Sequence, residues 1–409
     1  MTLCIVYNKD SGESITPSIF DIQSAAQALR SKMLRMIAHF KFGGPMTDQK
    51  RQARIVALVP AFNEQDSIGK TIESLLNQTY PITQIVVIPN NCTDKTAEVA
   101  RSYAEVHSCI EVLELHELKG KKAGALNSAL RKLNPRQWDF VLQMDADTHL
   151  DLHLVEEAVS EFERDSTLGG VCSRCLVQPL DSRVSYSWWS RLLWRCQNIE
   201  YSLGDSRNVE RMGNVKVLAG AVTMYKMEAL QSVANTWPIE CWRENDLVED
   251  YVLTLDTREN GYTARAGLGM YAWTQVPLTL RDLQTQRDRW YAGTINHLRE
   301  RGYSPVTRQD ILGLAWRVIG ICLNLTYLFA MTYVLTAVSI TDLSPHPIAL
   351  FVVLVSFADY ALRLRYLRNP DATQYFMVLL LLPWQIYALW DDYLVVRSFV
   401  LSYRKHESW

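Results

Sequence analysis

Between residues 50 and 150, short apolar runs alternate with stretches of helical periodicity. Arg54–Val59 (RIVALV), ended by Pro60, predicts a buried strand, Ser67–Gln78 a helix, and Gln84–Ile88 a second strand. Thr93–Val106 predicts another helix, entered through Asn91-Cys92-Thr93-Asp94, which offers several N-cap groups. Ile110–Leu113, Ala123–Leu133 and Phe140–Met144 continue the alternation as strand, helix and strand. Short strands separated by helices imply an α/β fold with a doubly wound, mostly parallel sheet. Ligands of such sheets gather beyond the carboxyl ends of the strands, which directs attention to the residues after Val59, Ile88 and Met144.

Beyond Ser304 the pattern changes. Val318–Ile340 contains no charged residue, and its 23 positions reach across a hydrocarbon core at about 1.5 Å each. Ile348–Leu362 is shorter and carries Asp359, while Tyr375–Trp390 is apolar around Pro383 and runs past Asp391-Asp392 to Leu401. Two to three crossings are predicted. Residues 341–347 lack Lys and Arg, whereas Arg363, Arg365 and Arg368 follow the second segment, so the positive-inside rule makes that loop and the catalytic region cytoplasmic. Arg397, Arg404 and Lys405 fit a re-entrant or interfacial last segment better than a third full crossing. Residues 16–42 set Ile22, Leu29, Met33 and Ile37 at helical spacing among Arg30, Lys32 and Arg35. Such a basic amphipathic helix suits either a bilayer surface or the flank of the catalytic domain. The opening MTLCIVYNKD lacks the basic-then-apolar order of a cleaved signal peptide. Three parts result: an interfacial segment over 1–50, an α/β domain over 51–303, and a membrane region over 304–409.

Composition narrows the function classes. The chain has 409 residues, more than one ordinary compact domain, and its 48% hydrophobic content excludes a disordered protein. Lys plus Arg (42) nearly balance Asp plus Glu (44), so phosphate neutralisation on a nucleic acid is not its business. The eight cysteines are scattered, which argues for a reducing compartment rather than a disulfide scaffold. Cys172-Ser-Arg-Cys175 has the spacing of half a zinc site or a redox pair. Without a second pair, and with Val171, Leu176 and Val177 as neighbours, structural thiols are the better reading.

Met144-Asp145-Ala146-Asp147 directly follows an apolar strand. Two carboxylates around a small residue can hold a hard divalent cation, Mn²⁺ or Mg²⁺, which grips a diphosphate. Pro60-Ala-Phe-Asn-Glu64 ends the first strand and Asn90-Asn91-Cys92-Thr93-Asp94 the second. Caps and turns explain each motif separately, but not three polar turns meeting at one sheet edge. Lys119-Gly-Lys-Lys-Ala-Gly-Ala-Leu-Asn127 sets Lys121 and Lys122 before a helix, where backbone N–H groups and an ammonium can meet phosphate. It is not a Walker loop. Val248-Glu249-Asp250 follows a polar run and reads by itself as a cap or surface pair. In Gln286-Arg287-Asp288-Arg289-Trp290, helical spacing brings Gln286, Arg289 and Trp290 to one face. An Arg beside an indole can take phosphate and offer a flat surface to a sugar ring, or serve as an interfacial membrane anchor.

In this order, the motifs resemble those of family 2 glycosyltransferases, above all the membrane-embedded synthases of cellulose, chitin, hyaluronan and poly-N-acetylglucosamine. The resemblance covers roughly residues 52–300 and implies a GT-A fold, Rossmann-like, and a nucleotide-sugar donor, most often a UDP-sugar. Carried over, Pro60, Ala61, Asn63 and Glu64 would line the nucleotide pocket and Lys122 would lie near the diphosphate. Asp145 would contact the nucleotide sugar and, with Asp147, the metal. Asp250 would be the general base, with Glu249 shaping the site. Leu218-Ala-Gly220-Ala-Val222 matches a loop near the acceptor end, and Gln286, Arg289 and Trp290 would hold the diphosphate and the acceptor sugar. Where the family usually has Asp, this chain has Asn90 and Asn91, which can hydrogen-bond a base or ribose without charge. Asp94 reads as a helix cap.

The reaction so implied is one displacement at the anomeric carbon, inverting an α-linked donor to a β-linked product. The acceptor would be a growing polysaccharide, or, for single transfer, a lipid or protein. A channel through so few helices would be narrow unless the chain oligomerises or recruits a partner. A catalytically inactive membrane scaffold is the remaining reading, opposed by the intact Asp145, Asp147, Asp250 and Arg289.

Overall fold

The computed structural model describes residues 51–340 except 211–212, 237–239 and 245, then 347, 351, 354–355 and 358, and finally 371–379 and 382–403. The amphipathic helix expected at 16–42 lies outside the described residues. So do the loop at 341–346, most of the apolar segment 348–362, the arginines at 363, 365 and 368, and residues 404 and 405.

The alternation over residues 50–150 forms as expected. It runs β1 (Ile55–Ala61), α1 (Ile68–Leu76), β2 (Gln84–Pro89), α2 (Thr96–Val106), β3 (Ile110–Val112), α3 (Lys121–Lys132) and β4 (Phe140–Met144). The uninterrupted apolar run of β1 follows from its burial on both faces. Ile55, Ala57 and Val59 pack with Ile68, Ile72 and Leu75 of α1, whereas Val56 and Leu58 join Ala125 and Leu126 of α3 on the other face.

The chain then adds β5 (His149–Leu150), α4 (Leu154–Arg164), β6 (Leu168–Val177), α5 (Trp188–Glu210), β7 (Val222–Lys226), α6 (Met227–Thr236), α7 (Glu249–Glu259) and β8 (Thr263–Thr274). The strands lie in the order β3-β2-β1-β4-β7-β6-β8-β5. The sheet is mostly parallel, as expected, with two reversed strands; β6 pairs parallel with β8. β3, β2, β1 and β4 run parallel, but β7 pairs antiparallel with both β4 and β6, and β5 is antiparallel to β8. The reversal serves the site. Because Met144 faces Val222 in an antiparallel pair, the loop before β7 returns to the carboxyl end of β4, where Asp145 N–H donates to Ala221 O at 2.9 Å.

Four more helices follow: α8 (Leu280–Arg301), α9 (Arg308–Ile340), α10 (Ala372–Leu379) and α11 (Leu382–Tyr403). Thr279 caps α8 by accepting the Asp282 N–H at 3.2 Å, and Gly302 ends it with φ 63°. Among the described residues, one stretch, Arg308–Val334 of α9, is long and apolar enough to cross a membrane, and almost none of it is buried. α10 and α11 pack on α5 through Met377, Trp384 and Tyr387 against Leu193, Cys196 and Ile199. All described cysteines are free thiols. Burial pushes Cys172 up to about 12 and Cys175 to about 11, whereas metal binding and thiol exchange need the thiolate.

Candidate active site

The turns after β1 and β2 are tied to each other. Asn63 takes a left-handed conformation (φ 55°) and its Oδ1 accepts the Thr93 N–H at 2.8 Å. Glu64 N–H donates to Thr96 Oγ1 at 2.7 Å, and its carboxylate accepts the Ser67 hydroxyl at 2.5 Å. Asp94 accepts from the N–H groups of Thr96 (3.0 Å) and Gln65 (3.1 Å), so it works as a cap. Pro60 and Ala61 finish β1 as buried positions beneath these turns. Asn90 is 6% exposed; its Nδ2 donates to Lys121 O at 3.1 Å while Oδ1 has no hydrogen-bond partner among the described residues. A buried acceptor left open is costly.

Lys122, in the first turn of α3, joins the remaining motifs. Its ammonium pairs with Asp145, donates to Gly220 O at 3.0 Å and lies 3.9 Å from Glu249 Oε1. Burial alone would lower its pKa, but Asp145, then Glu249 and Asp250, outweigh burial and hold it above its ordinary value. Gly220 is the hinge of the cluster. Its carbonyl also accepts from Gln143 Nε2, and its N–H donates to Asp250 Oδ2 at 3.0 Å. Asp250 Oδ1 accepts the Tyr251 N–H at 2.8 Å, and Thr254 links the Asp250 carbonyl (2.7 Å) to Leu218 N (2.9 Å). The Glu249 carboxyl is raised by burial; Lys122 and Arg289 oppose that shift and the neighbouring Asp250 adds to it.

Asp147 stands on the other flank, beside a polar cleft lined by Asp66, Ser67, Lys70, His149 and Gln178. Burial, then the negative charges of Asp145 and Glu64, push its carboxyl up to about 7, against a hydrogen bond from Thr148 Oγ1 at 3.1 Å. Carboxylates placed side by side, with only part of their charge met by Lys122, suit a hard cation. Among the described residues no three His, Cys, Asp or Glu side chains form a complete metal cage. Cations such as Mg²⁺ commonly take one or two carboxylates and complete their shell with phosphate oxygens and water.

On α8 the five-residue motif divides. Arg289 is exposed, and its positive charge opposes the rise of the Glu249 carboxyl. Trp290 is half-buried against Val248, Tyr251, Leu255 and Leu298. Arg287, absent from the residues picked out by sequence, lies 4.5 Å over the Trp290 ring, and its Nη1 donates to Gln286 Oε1 at 3.4 Å. Thus Lys122, Asp145, Gly220, Glu249 and Asp250 meet directly and Arg289 approaches them, while Gln286 turns toward Arg287. Gln143 was also missed, since a polar residue inside an apolar strand gives no hint of its partner.

A side chain at position 220 would be crowded. A Cβ there would sit 3.1 Å from both Asp250 Oδ2 and Lys122 Nζ. Gly220→Ala is expected to shift one of them by a few tenths of an ångström and to lower turnover about tenfold, with thermal stability nearly unchanged. Steady-state rates beside melting curves check it; unaltered turnover would mean that this spacing is not critical.

Residues 56–233 match the model of Glycosyl transferase family 2. The poly-β-1,6-N-acetyl-D-glucosamine synthase of Staphylococcus epidermidis is 26% identical over 278 residues, covering 65% of this chain and 63% of that protein. Its counterpart in Staphylococcus aureus strain MSSA476 is 28% identical over 242 residues, 58% and 54% of the two chains. The match therefore spans less than two thirds of either relative. A mannosyltransferase from Pyrobaculum calidifontis, solved with GDP-Man and Mn²⁺, aligns with a TM-score of 0.52 and 18% identity over 94% of this chain and 98% of that one. At such identity the likeness speaks to the fold. The family model, the relatives and the eight-stranded sheet agree: residues 56–233 are similar to family 2 glycosyltransferases, the poly-β-1,6-N-acetyl-D-glucosamine synthases among them, and the fold is GT-A-like.

Proposed function

We propose that the protein is a membrane-bound, inverting, metal-dependent hexosyltransferase that adds sugars from a nucleotide-sugar, a UDP-sugar, to a growing β-linked polysaccharide, with its catalytic domain cytoplasmic. The carrying observation is the cluster of Lys122, Asp145, Glu249 and Asp250 around the Gly220 backbone, on which three separate stretches of chain converge. The long apolar helix α9 supports the membrane reading, and the sugar named in the staphylococcal relatives makes N-acetylglucosamine the first donor to try.

In this reading Asp250 accepts the proton of the acceptor hydroxyl as the new bond forms, held in place by the N–H groups of Gly220 and Tyr251. Glu249, half-buried next to it, shapes the site and balances Lys122. Lys122 and Arg289 offer positive charge to the departing diphosphate. Asn90, with Oδ1 open, accepts from an N–H of the base, and Pro60, Ala61, Asn63 and Glu64 wall the nucleotide. Trp290 presents its ring to the acceptor sugar, with Gln286 beside it. Asp145 and Asp147 would hold Mn²⁺ or Mg²⁺, which when bound offsets charge on the diphosphate oxygens. Mn²⁺ in the Pyrobaculum mannosyltransferase supports that choice.

The test uses the full chain in lipid nanodiscs with Mn²⁺ and UDP-glucose, UDP-galactose, UDP-N-acetylglucosamine or GDP-mannose, reading nucleotide release and product size. A ladder of lengths is expected with one donor. One added sugar would move the reading to single transfer onto a lipid or protein. Neither transfer nor donor hydrolysis with any of the four would leave an inactive scaffold.

A further inference from the structure

Arg287 is 1% exposed, yet none of the roles above uses it. Its Nη2 donates to Glu200 Oε2 of α5 at 2.8 Å, and the same oxygen accepts the Tyr387 hydroxyl of α11 at 2.5 Å. One turn along α8, the Tyr291 hydroxyl donates to Asp391 Oδ1 at 2.7 Å. Arg317 of α9 bridges Asp391 (2.6 Å) and Asp392 (2.8 Å). Asn324, deeper in the apolar stretch of α9, donates to Asp392 Oδ2 at 2.9 Å. Ionisable residues within apolar helices are costly unless paired, and these pair with one another and with α8.

We propose that this network is a positioning device through which the C-terminal apolar helices set the acceptor platform. The chain of contacts is short. Tyr387 orients Glu200, Glu200 fixes the Arg287 guanidinium, and that guanidinium lies over the Trp290 ring. A planar cation stacked on an indole restricts its rotamer. α8 also carries Arg289, so a rotation of the helix moves both groups together. Arg287, Glu200 and Tyr387 are positioning residues and touch neither donor nor acceptor. The inference rests on the transfer reading only for what Trp290 does; the coupling of α11 to α8 stands apart from it.

Two variants test it in nanodiscs, Tyr387→Phe, which deletes a single hydroxyl, and Arg287→Met, with Arg287→Lys as the conservative control. A misplaced platform leaves the donor to react with water, so the ratio of hydrolysis to transfer is expected to rise about threefold in Tyr387→Phe, the effect of one hydrogen bond. It should rise about tenfold in Arg287→Met and less in Arg287→Lys. That ratio does not depend on how much protein is folded, so a merely structural defect leaves it unmoved. Hydrogen exchange of the amides at 286–290 gives a second readout that needs no turnover, expected to quicken about threefold in Tyr387→Phe. An unchanged ratio with an active wild type would overturn the positioning role. Unchanged exchange in both Tyr387→Phe and Arg287→Met would overturn the coupling whether or not any donor is used. A wild type inactive with every donor but showing faster exchange in the variants would count against the transfer reading and support the coupling.

Discussion

Asp250→Asn is expected to lower transfer by about 10²–10⁴-fold, the usual worth of a positioned general base, while leaving nucleotide affinity within about twofold. Asn has the same shape, and its side-chain oxygen can still accept the Gly220 N–H that Asp250 Oδ2 accepts at 3.0 Å. The loop at 218–222 should therefore stay where it is, and the loss should fall on the rate rather than on donor binding. Glu249 is the only competitor in the same turn. It is half-buried 3.9 Å from Lys122 Nζ, with a carboxyl raised by desolvation, and Asp250 accounts for part of that rise. Removing the charge at 250 should lower the Glu249 pKa and so make it a weaker base than in the wild type. Labelled-donor transfer and calorimetric titration with nucleotide measure the two effects. Wild-type turnover in the variant would take the base role away from Asp250, and equal loss of nucleotide affinity would assign it to binding instead.

The sequence-readable part of the fold is the part buried on both faces. β1, β2 and β4 lie inside the sheet between helices, so their apolar runs are continuous and their ends are marked by polar turns. β6 and β8 gave weak signals. Leu168–Val177 contains two glycines, a serine and an arginine, and Thr263–Thr274 interrupts its alternation with Gly267 and Gly269. The antiparallel insertion of β7 between β4 and β6 is a long-range pairing that no local pattern encodes. The same divide runs through the site. Asp145, Asp147, Glu249 and Asp250 stand at element ends, where carboxylates are conspicuous. Gly220 was found only through the resemblance, though its need is steric and plain in space. Arg287 occupies an unspecified position of its motif, and its partner Glu200 is 87 residues away, so neither could be matched before the helices were packed.

Asp147 gives the second large effect, in two opposite directions. Asp147→Ala is expected to remove the gain in donor affinity brought by Mn²⁺, a loss of about 100-fold or more, since even partners one shell further from a metal are worth 10–100-fold. Donor affinity that responds to Mn²⁺ as in the wild type would contradict the ligand role. Stability should move the other way. In the metal-free folded protein the Asp147 carboxyl is pushed up to about 7 from an ordinary 3.8, first by burial and then by Asp145 and Glu64. The unfolded chain releases that proton above pH 4, whereas the folded chain keeps it until about 7. Unfolding therefore releases a proton across this window, and stability falls as pH rises through it, by up to about 4 kcal/mol. Asp147→Asn, which cannot ionise, should melt with the wild type near pH 4 and well above it at pH 8 in the absence of metal. Mn²⁺ should raise the wild-type melting temperature and leave the variant's unmoved. A residue that weakens the empty fold is then the one that recruits the cation, and a variant melting with the wild type at both pH values would refute that link.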